Sequence, residues 1–210
     1  CCGINYGHSS FSETTGITTS SYTAEELASV CELLTNHLNR LAPEISCAED
    51  GTSLMRKEIV PRNAKKAMEQ IGTLYDELDG YYPLPKRLTV SEILSYQNLS
   101  GIYSPFTIEA NYNDDMTEYN LPFTACHELS HLRGFMQEEE ANFIAFLACV
   151  NADSPELQYS GYMLGWLYAT NQLYHADYEA YERIHSMLNN QSQIDLAANT
   201  QFWNTYDGQI

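Results

Sequence analysis

Apolar residues recur at helical spacing along most of the chain, and the breaks between these runs predict its elements. Leu27, Val30, Cys31, Leu34, Leu38 and Leu41 share one helical face up to Pro43. Thr23 with Glu26 supplies a capping box at the start of that run. A second amphipathic helix is expected from about Asn63 to Leu78, carrying Ala67, Met68, Ile71, Leu74 and Tyr75. Residues 23–78 therefore read as scaffold helices. Ahead of them, residues 1–22 are rich in Ser, Thr and Gly and read as an extended leader laid over the surface.

The period changes after the proline-rich connector 79–85. Residues 88–113 are the only stretch that reads as sheet, with Ile102-Tyr103 and Phe106-Thr107-Ile108 carrying β-branched and aromatic character. Pro105 suits an edge strand there. Helical spacing returns over 121–151. Leu121-Pro122-Phe123 opens one helix, Gly134 is placed to end it, and an acidic triplet starts a second, strongly apolar helix over about 137–151. Ser154-Pro155-Glu156 opens another helix, running to about Leu173. Two more are expected near 176–189 and 193–206, so 154–206 forms a helical C-terminal part. The fold class is α+β, mostly helical, in one domain spanning 1–210.

Candidate chemistry lies in Cys126-His127-Glu128-Leu129-Ser130-His131. Histidines four apart project from one helix face a turn apart and can grip one zinc ion. Glu128 stands about 100° around the helix, where it can reach a water on the ion without ligating it. This is the H-E-x-x-H arrangement of zinc metallopeptidases. Glu138 and Glu140 are the candidate third ligands. They face about 200° apart, so both cannot serve one ion, and periodicity alone does not choose between them. Glu140 lies towards the bulky stripe of Phe143, Phe146, Leu147 and Val150; Glu138 lies towards the small side of Asn142, Ala145 and Cys149, where another helix can approach. Asn142 is a candidate partner for orienting a ligand.

These residues resemble the gluzincin metallopeptidases, whose third ligand is a glutamate on a later helix, often within Glu-x-x-Ala-Asp/Asn. Glu138-Glu139-Glu140-Ala141-Asn142 fits that pattern with Glu138 first. More narrowly, the run from Thr107 to Tyr162 resembles a bacterial zincin-like family of uncharacterised function. The matching pieces are Glu109-Ala110-Asn111, Pro122-Phe123-Thr124, the H-E-x-x-H, Gly134-Phe135, Glu138 to Phe143, and Tyr159-Ser160-Gly161-Tyr162. The resemblance implies a zincin-like fold with a small sheet flanking the H-E-x-x-H helix, and Glu138 as third ligand. It places the substrate-binding strand edge at Glu109-Ala110-Asn111, making Ala110 and Asn111 candidate substrate contacts by strand addition. In that family the domain follows a few membrane-spanning helices, and Gly3-Ile4-Asn5-Tyr6 resembles the segment after the last span. A membrane-anchored protein with this domain soluble and extracytoplasmic is therefore expected. One departure stands out: only six residues separate His131 from Glu138, fewer than in most gluzincins, so Gly134 must turn the chain sharply.

Charge and cysteines narrow the classes. A net charge of −18 disfavours a nucleic-acid groove and simple docking on anionic lipid. No stretch approaches the length of apolar residues needed to span a bilayer, and no signal peptide is visible. Cys1-Cys2 without a methionine reads as a processed product or an excised fragment. The six cysteines contain no C-x-x-C pair, which argues against a thiolate zinc site. Cys126 and Cys149 read as buried hydrophobes, and Cys31 with Cys47 as a possible disulfide.

The expected activity is zinc-dependent hydrolysis of peptide bonds in a peptide or protein substrate. One zinc held by His127, His131 and Glu138 activates a bound water, and Glu128 takes its proton and delivers it to the leaving amine. Tyr159, Tyr162 and His175 are candidate oxyanion donors. Arg133 reads as a surface charge, and His8, His37 and His185 as solvated. The alternative is a non-hydrolytic zinc-binding or sensor domain of a membrane-anchored protein. The short gap favours it; the presence of Glu128, which a purely structural site does not need, opposes it.

Overall fold

The computed structural model describes residues 10–17, 20–88 and 91–207. Helix α2 (Ala24–Leu41) forms as its cap predicts: Thr23 Oγ1 accepts the Glu26 N–H while Glu26 accepts the Thr23 N–H. Leu27, Cys31, Leu34, Leu38 and Leu41 are buried along it, whereas Val30 stands 48% exposed. Helix α3 (Val60–Gly72) begins earlier than expected because Pro61 fits its first turn. It ends at Gly72 rather than Leu78, and a separate 3₁₀ turn covers Asp76–Leu78.

The leader is not simply extended. Ser10 and Glu13 form a second capping box over a short helix α1 (Phe11–Thr15). Phe11 is buried in the main core, edge-on to Phe135 at 5.5 Å and against Tyr75 at 5.4 Å. Cys1-Cys2, Gly3-Ile4-Asn5-Tyr6 and His8 lie outside the described residues.

The sheet is smaller than expected. Strands β1 (Lys86–Arg87), β2 (Gly101–Ser104) and β3 (Glu109–Tyr112) run in the order β1-β3-β2, with β1 parallel and β2 antiparallel to β3. A helix α4 (Ser91–Tyr96) occupies part of the stretch read as strand. Pro105, Phe106 and Ile108 lie in the turn between β2 and β3, where Ile108 takes φ +55° and Phe106 is 83% exposed.

The central strand is therefore β3: Asn111 pairs with Lys86 of β1 and with Ile102 of β2, and Ala110 pairs with Tyr103 of β2. The expected strand edge at 109–111 is corrected to β2, which has no strand on its other side among the described residues. The Asn113 N–H donates to Ser100 O. By the two-residue alternation of an antiparallel ladder, the main-chain groups of Gly101 and Tyr103 then face the free edge.

Helix α5 (Asn120–Leu132) lies at the centre, packed on α3, on β2 and β3, on α6 (Glu138–Val150) and on α7 (Pro155–Ala176). Every α5 residue from Asn120 to His131 is buried. Helix α6 buries its small side (Ala141, Ile144, Ala145, Ala148 and Cys149), while Phe143 is left 39% exposed. Helices α8 (Tyr178–Met187) and α9 (Asn190–Tyr206) complete the chain. The protein is thus mostly helical with one small sheet, an α+β arrangement.

No helix among the described residues is long and apolar enough to cross a membrane. Cys126 and Cys149 are buried as expected, but Cys31 and Cys47 are unbridged. Cys31 is buried in the core, and the Cys47 thiol donates to Gln191 Oε1 at 2.7 Å.

Candidate metal centre

Helix α5 carries His127 and His131 on one face because they stand one turn apart. Their Nε2 atoms approach to 3.0 Å. Glu138, in the first turn of α6, brings Oε2 to 3.2 Å from His127 Nε2 and Oε1 to 3.6 Å from His131 Nε2. Among the described residues, His127, His131 and Glu138 form a group that could hold a metal ion. Donors arranged tetrahedrally at about 2.1 Å from zinc stand roughly 3.4 Å from one another. The three observed separations bracket that value, and two imidazoles with one carboxylate suit zinc.

The short gap is bridged by Gly134. Its φ of +98° is a conformation few side chains tolerate, and its N–H bonds to His131 O at 2.9 Å. The turn brings the Phe135 carbonyl to 2.8 Å from His131 Nδ1. An Nδ1–H donated there leaves Nε2 with its lone pair towards Glu138, the tautomer a ligand requires. Burial, with His131 adding to it, lowers the His127 pKa to about 4, so the His127 ring is neutral at pH 7. Asn142 lies close enough to His127 to offset this effect in part, while His127 Nδ1 has no hydrogen-bond partner among the described residues.

Glu128 is buried beside the triad, and its Oε2 has no hydrogen-bond partner among the described residues. Burial, then the charge of Glu138, pushes its carboxyl up to about 8. A cation at the triad would counter both effects and favour the carboxylate. Strand β2 passes so close that a Cβ on Gly101 would stand 2.3 Å from Glu128 Oε1. A side chain at position 101 would therefore displace this carboxyl.

A cavity of about 250 Å³ opens against His127 and Glu138, walled by Ser100, Asn142, Tyr168 and Trp203 among others. The expected oxyanion donors are elsewhere. Tyr159 donates to the buried Asp195 at 2.7 Å, Tyr162 stacks on His37 with ring centres 4.4 Å apart, and His175 is exposed beside Tyr174. Instead Tyr168 faces the cavity, its hydroxyl 3.5 Å from Asn142 Oδ1. Burial, then the charge of Glu138, raises its pKa. Tyr168 sits on the same helix as the two expected tyrosines, and sequence spacing could not say which face of α7 meets the metal helices.

Other expectations change as well. His37 and His185 are half-buried against aromatic rings rather than solvated. Arg133 is not a free surface charge: its guanidinium donates to the Asp79 carbonyl and lies over the Tyr82 ring, holding the connector.

The segment Tyr159-Ser160-Gly161-Tyr162 supports the centre from behind. Ser160 Oγ accepts the Phe123 N–H at 3.0 Å and donates to Tyr119 O, tying down the start of α5. Gly161 lets α7 approach Cys149, where a Cβ would stand 2.6 Å from the cysteine Cβ.

No curated protein and no solved structure matches the chain. A family model described as Protein of unknown function (DUF3810) matches residues 1–210, the whole of the chain, and the protein belongs to that family.

Proposed function

We propose that this protein is a zinc-dependent peptide hydrolase of zincin-like fold, with His127, His131 and Glu138 as ligands and Glu128 as general base. The observation that carries the reading is the convergence of the three ligand atoms at 3.0, 3.2 and 3.6 Å beside a buried carboxyl whose Oε2 has no hydrogen-bond partner among the described residues. When bound, zinc supplies Lewis acidity: it polarises a peptide carbonyl and makes a neighbouring water easier to deprotonate. Glu128 takes the proton of the attacking water and hands it to the leaving amine. Tyr168 places a phenol in the same cavity, where it can donate to the developing oxyanion. The free edge of β2 offers the main-chain groups of Gly101 and Tyr103 to an extended peptide. Ala110 and Asn111 support that edge from the next strand.

A purely structural zinc site has no use for a glutamate left unpartnered in the interior, and this favours hydrolysis over a non-hydrolytic module. A membrane tether and an extracytoplasmic location form part of the proposal on the resemblance alone; any span would lie outside the described residues.

The test is elemental analysis of tag-free protein supplied with zinc, followed by a broad peptide library. About one zinc per chain together with metal-dependent cleavage supports the reading. No zinc uptake would overturn it. Zinc uptake with no cleavage anywhere in the library would transfer the reading to a zinc-binding module.

A further inference from the structure

An apolar groove of about 620 Å³ opens beside the metal cavity and shares Phe123, Asn142 and Tyr168 with it. It runs between α2 and the pair α6–α7. Leu27, Leu34 and Phe146 lie along its base, and Val30 and Phe143 are half-exposed on its walls. Among the described residues its charged lining consists of Glu26 and Glu139, on a chain of net charge −18. Apolar surface left open across a shared wall from a candidate chemical site marks a binding surface rather than an unfinished core.

We propose that this groove holds an apolar segment of the polypeptide substrate, flanked by basic rather than acidic residues. The wall of Phe123, Asn142 and Tyr168 shared with the metal cavity makes the occupant a substrate segment, and the two rim carboxylates set the sign of its flanks. Calling that segment a substrate rests on the hydrolase reading; its binding in the groove does not.

Zinc-loaded Glu128→Gln protein allows binding to be read without turnover. Three fluorescent peptides are compared: a Leu/Phe/Val core flanked by Lys, the same core flanked by Glu, and a Ser/Asn core flanked by Lys. The first is expected to bind at least about ten-fold tighter than either of the others. Adding Val30→Lys, at an exposed groove position remote from the ligands, is expected to remove that advantage while zinc content stays the same. Equal binding of the polar core, or unaltered binding after Val30→Lys, would overturn the proposal. So would self-association that the apolar peptide cannot displace, because the groove would then hold a second copy of the chain.

Cleavage by the wild-type protein separates the two readings. Binding as expected without cleavage removes the hydrolase reading and leaves the groove. Cleavage indifferent to apolar residues removes the groove and leaves the hydrolase.

Discussion

Glu140 Oε1 accepts the main-chain N–H of Phe11 at 2.7 Å. This contact separates two carboxylates that lie only two positions apart on α6. Glu140 is engaged in holding the leader helix, and Glu138 is left to converge with the histidines. Glu138→Ala is therefore expected to lose zinc, whereas Glu140→Ala should keep about one zinc per chain and lose about 1–3 kcal/mol of stability. Elemental analysis and denaturant unfolding of the two variants check this. Loss of zinc in Glu140→Ala alone would reverse the assignment.

Glu128→Gln preserves shape and removes the base. Zinc content should be unchanged, and peptide hydrolysis should fall by about 10²–10⁴-fold. Turnover per bound zinc is the quantity to measure, and undiminished turnover would remove Glu128 from the chemistry.

Gly101→Ala tests the same carboxyl from the side of the strand. A methyl group there would stand 2.3 Å from Glu128 Oε1, and the end of that side chain is what gives way. Hydrolysis is expected to fall at least about ten-fold, with zinc retained and the melting temperature little altered. A variant with full activity would mean that Glu128 works from another position.

Two tyrosines on α7 offer a contrast. Tyr168→Phe removes the cavity hydroxyl and is expected to lower kcat by about 10-fold or more with little change in stability. Tyr159→Phe removes a hydrogen bond to the buried Asp195, so it should cost about 1.5–3 kcal/mol of stability and leave kcat unchanged. Kinetics paired with unfolding curves would expose a reversal of these roles.

The candidate metal group was legible in the sequence because it is local. His127, Glu128 and His131 occupy one helix, and Glu138 follows across a single turn that Gly134 makes possible. The small side of α6 was likewise visible in Ala145 and Cys149, and it is the side that packs inward. Strand order was not legible. Placing β3 in the middle of the sheet depends on pairing between Lys86 and Asn111 and between Ile102 and Asn111, and no local pattern encodes it. Helix α1 carried a signal, Ser10 with Glu13, but its five residues are too few for periodicity to emerge from a Ser/Thr-rich background. The choice among α7 tyrosines failed for a related reason. The helix is apolar or aromatic on several faces, and only tertiary packing decides which face meets the metal helices.

Phe11 lies 129 residues from the carboxylate that holds it. The leader rests on Tyr75, Phe135 and α6, so its docking depends on segments far along the chain being in place. Its ring rests against Phe135, whose carbonyl orients His131, and its N–H hangs from the helix that begins with Glu138. If the centre binds a metal, its affinity and leader docking are two sides of one thermodynamic cycle. A pull on the leader that weakens metal binding implies, by reciprocity, that a filled centre grips the leader more tightly. Amide exchange at Phe11, followed with and without zinc, would read the centre's occupancy from the other end of the chain.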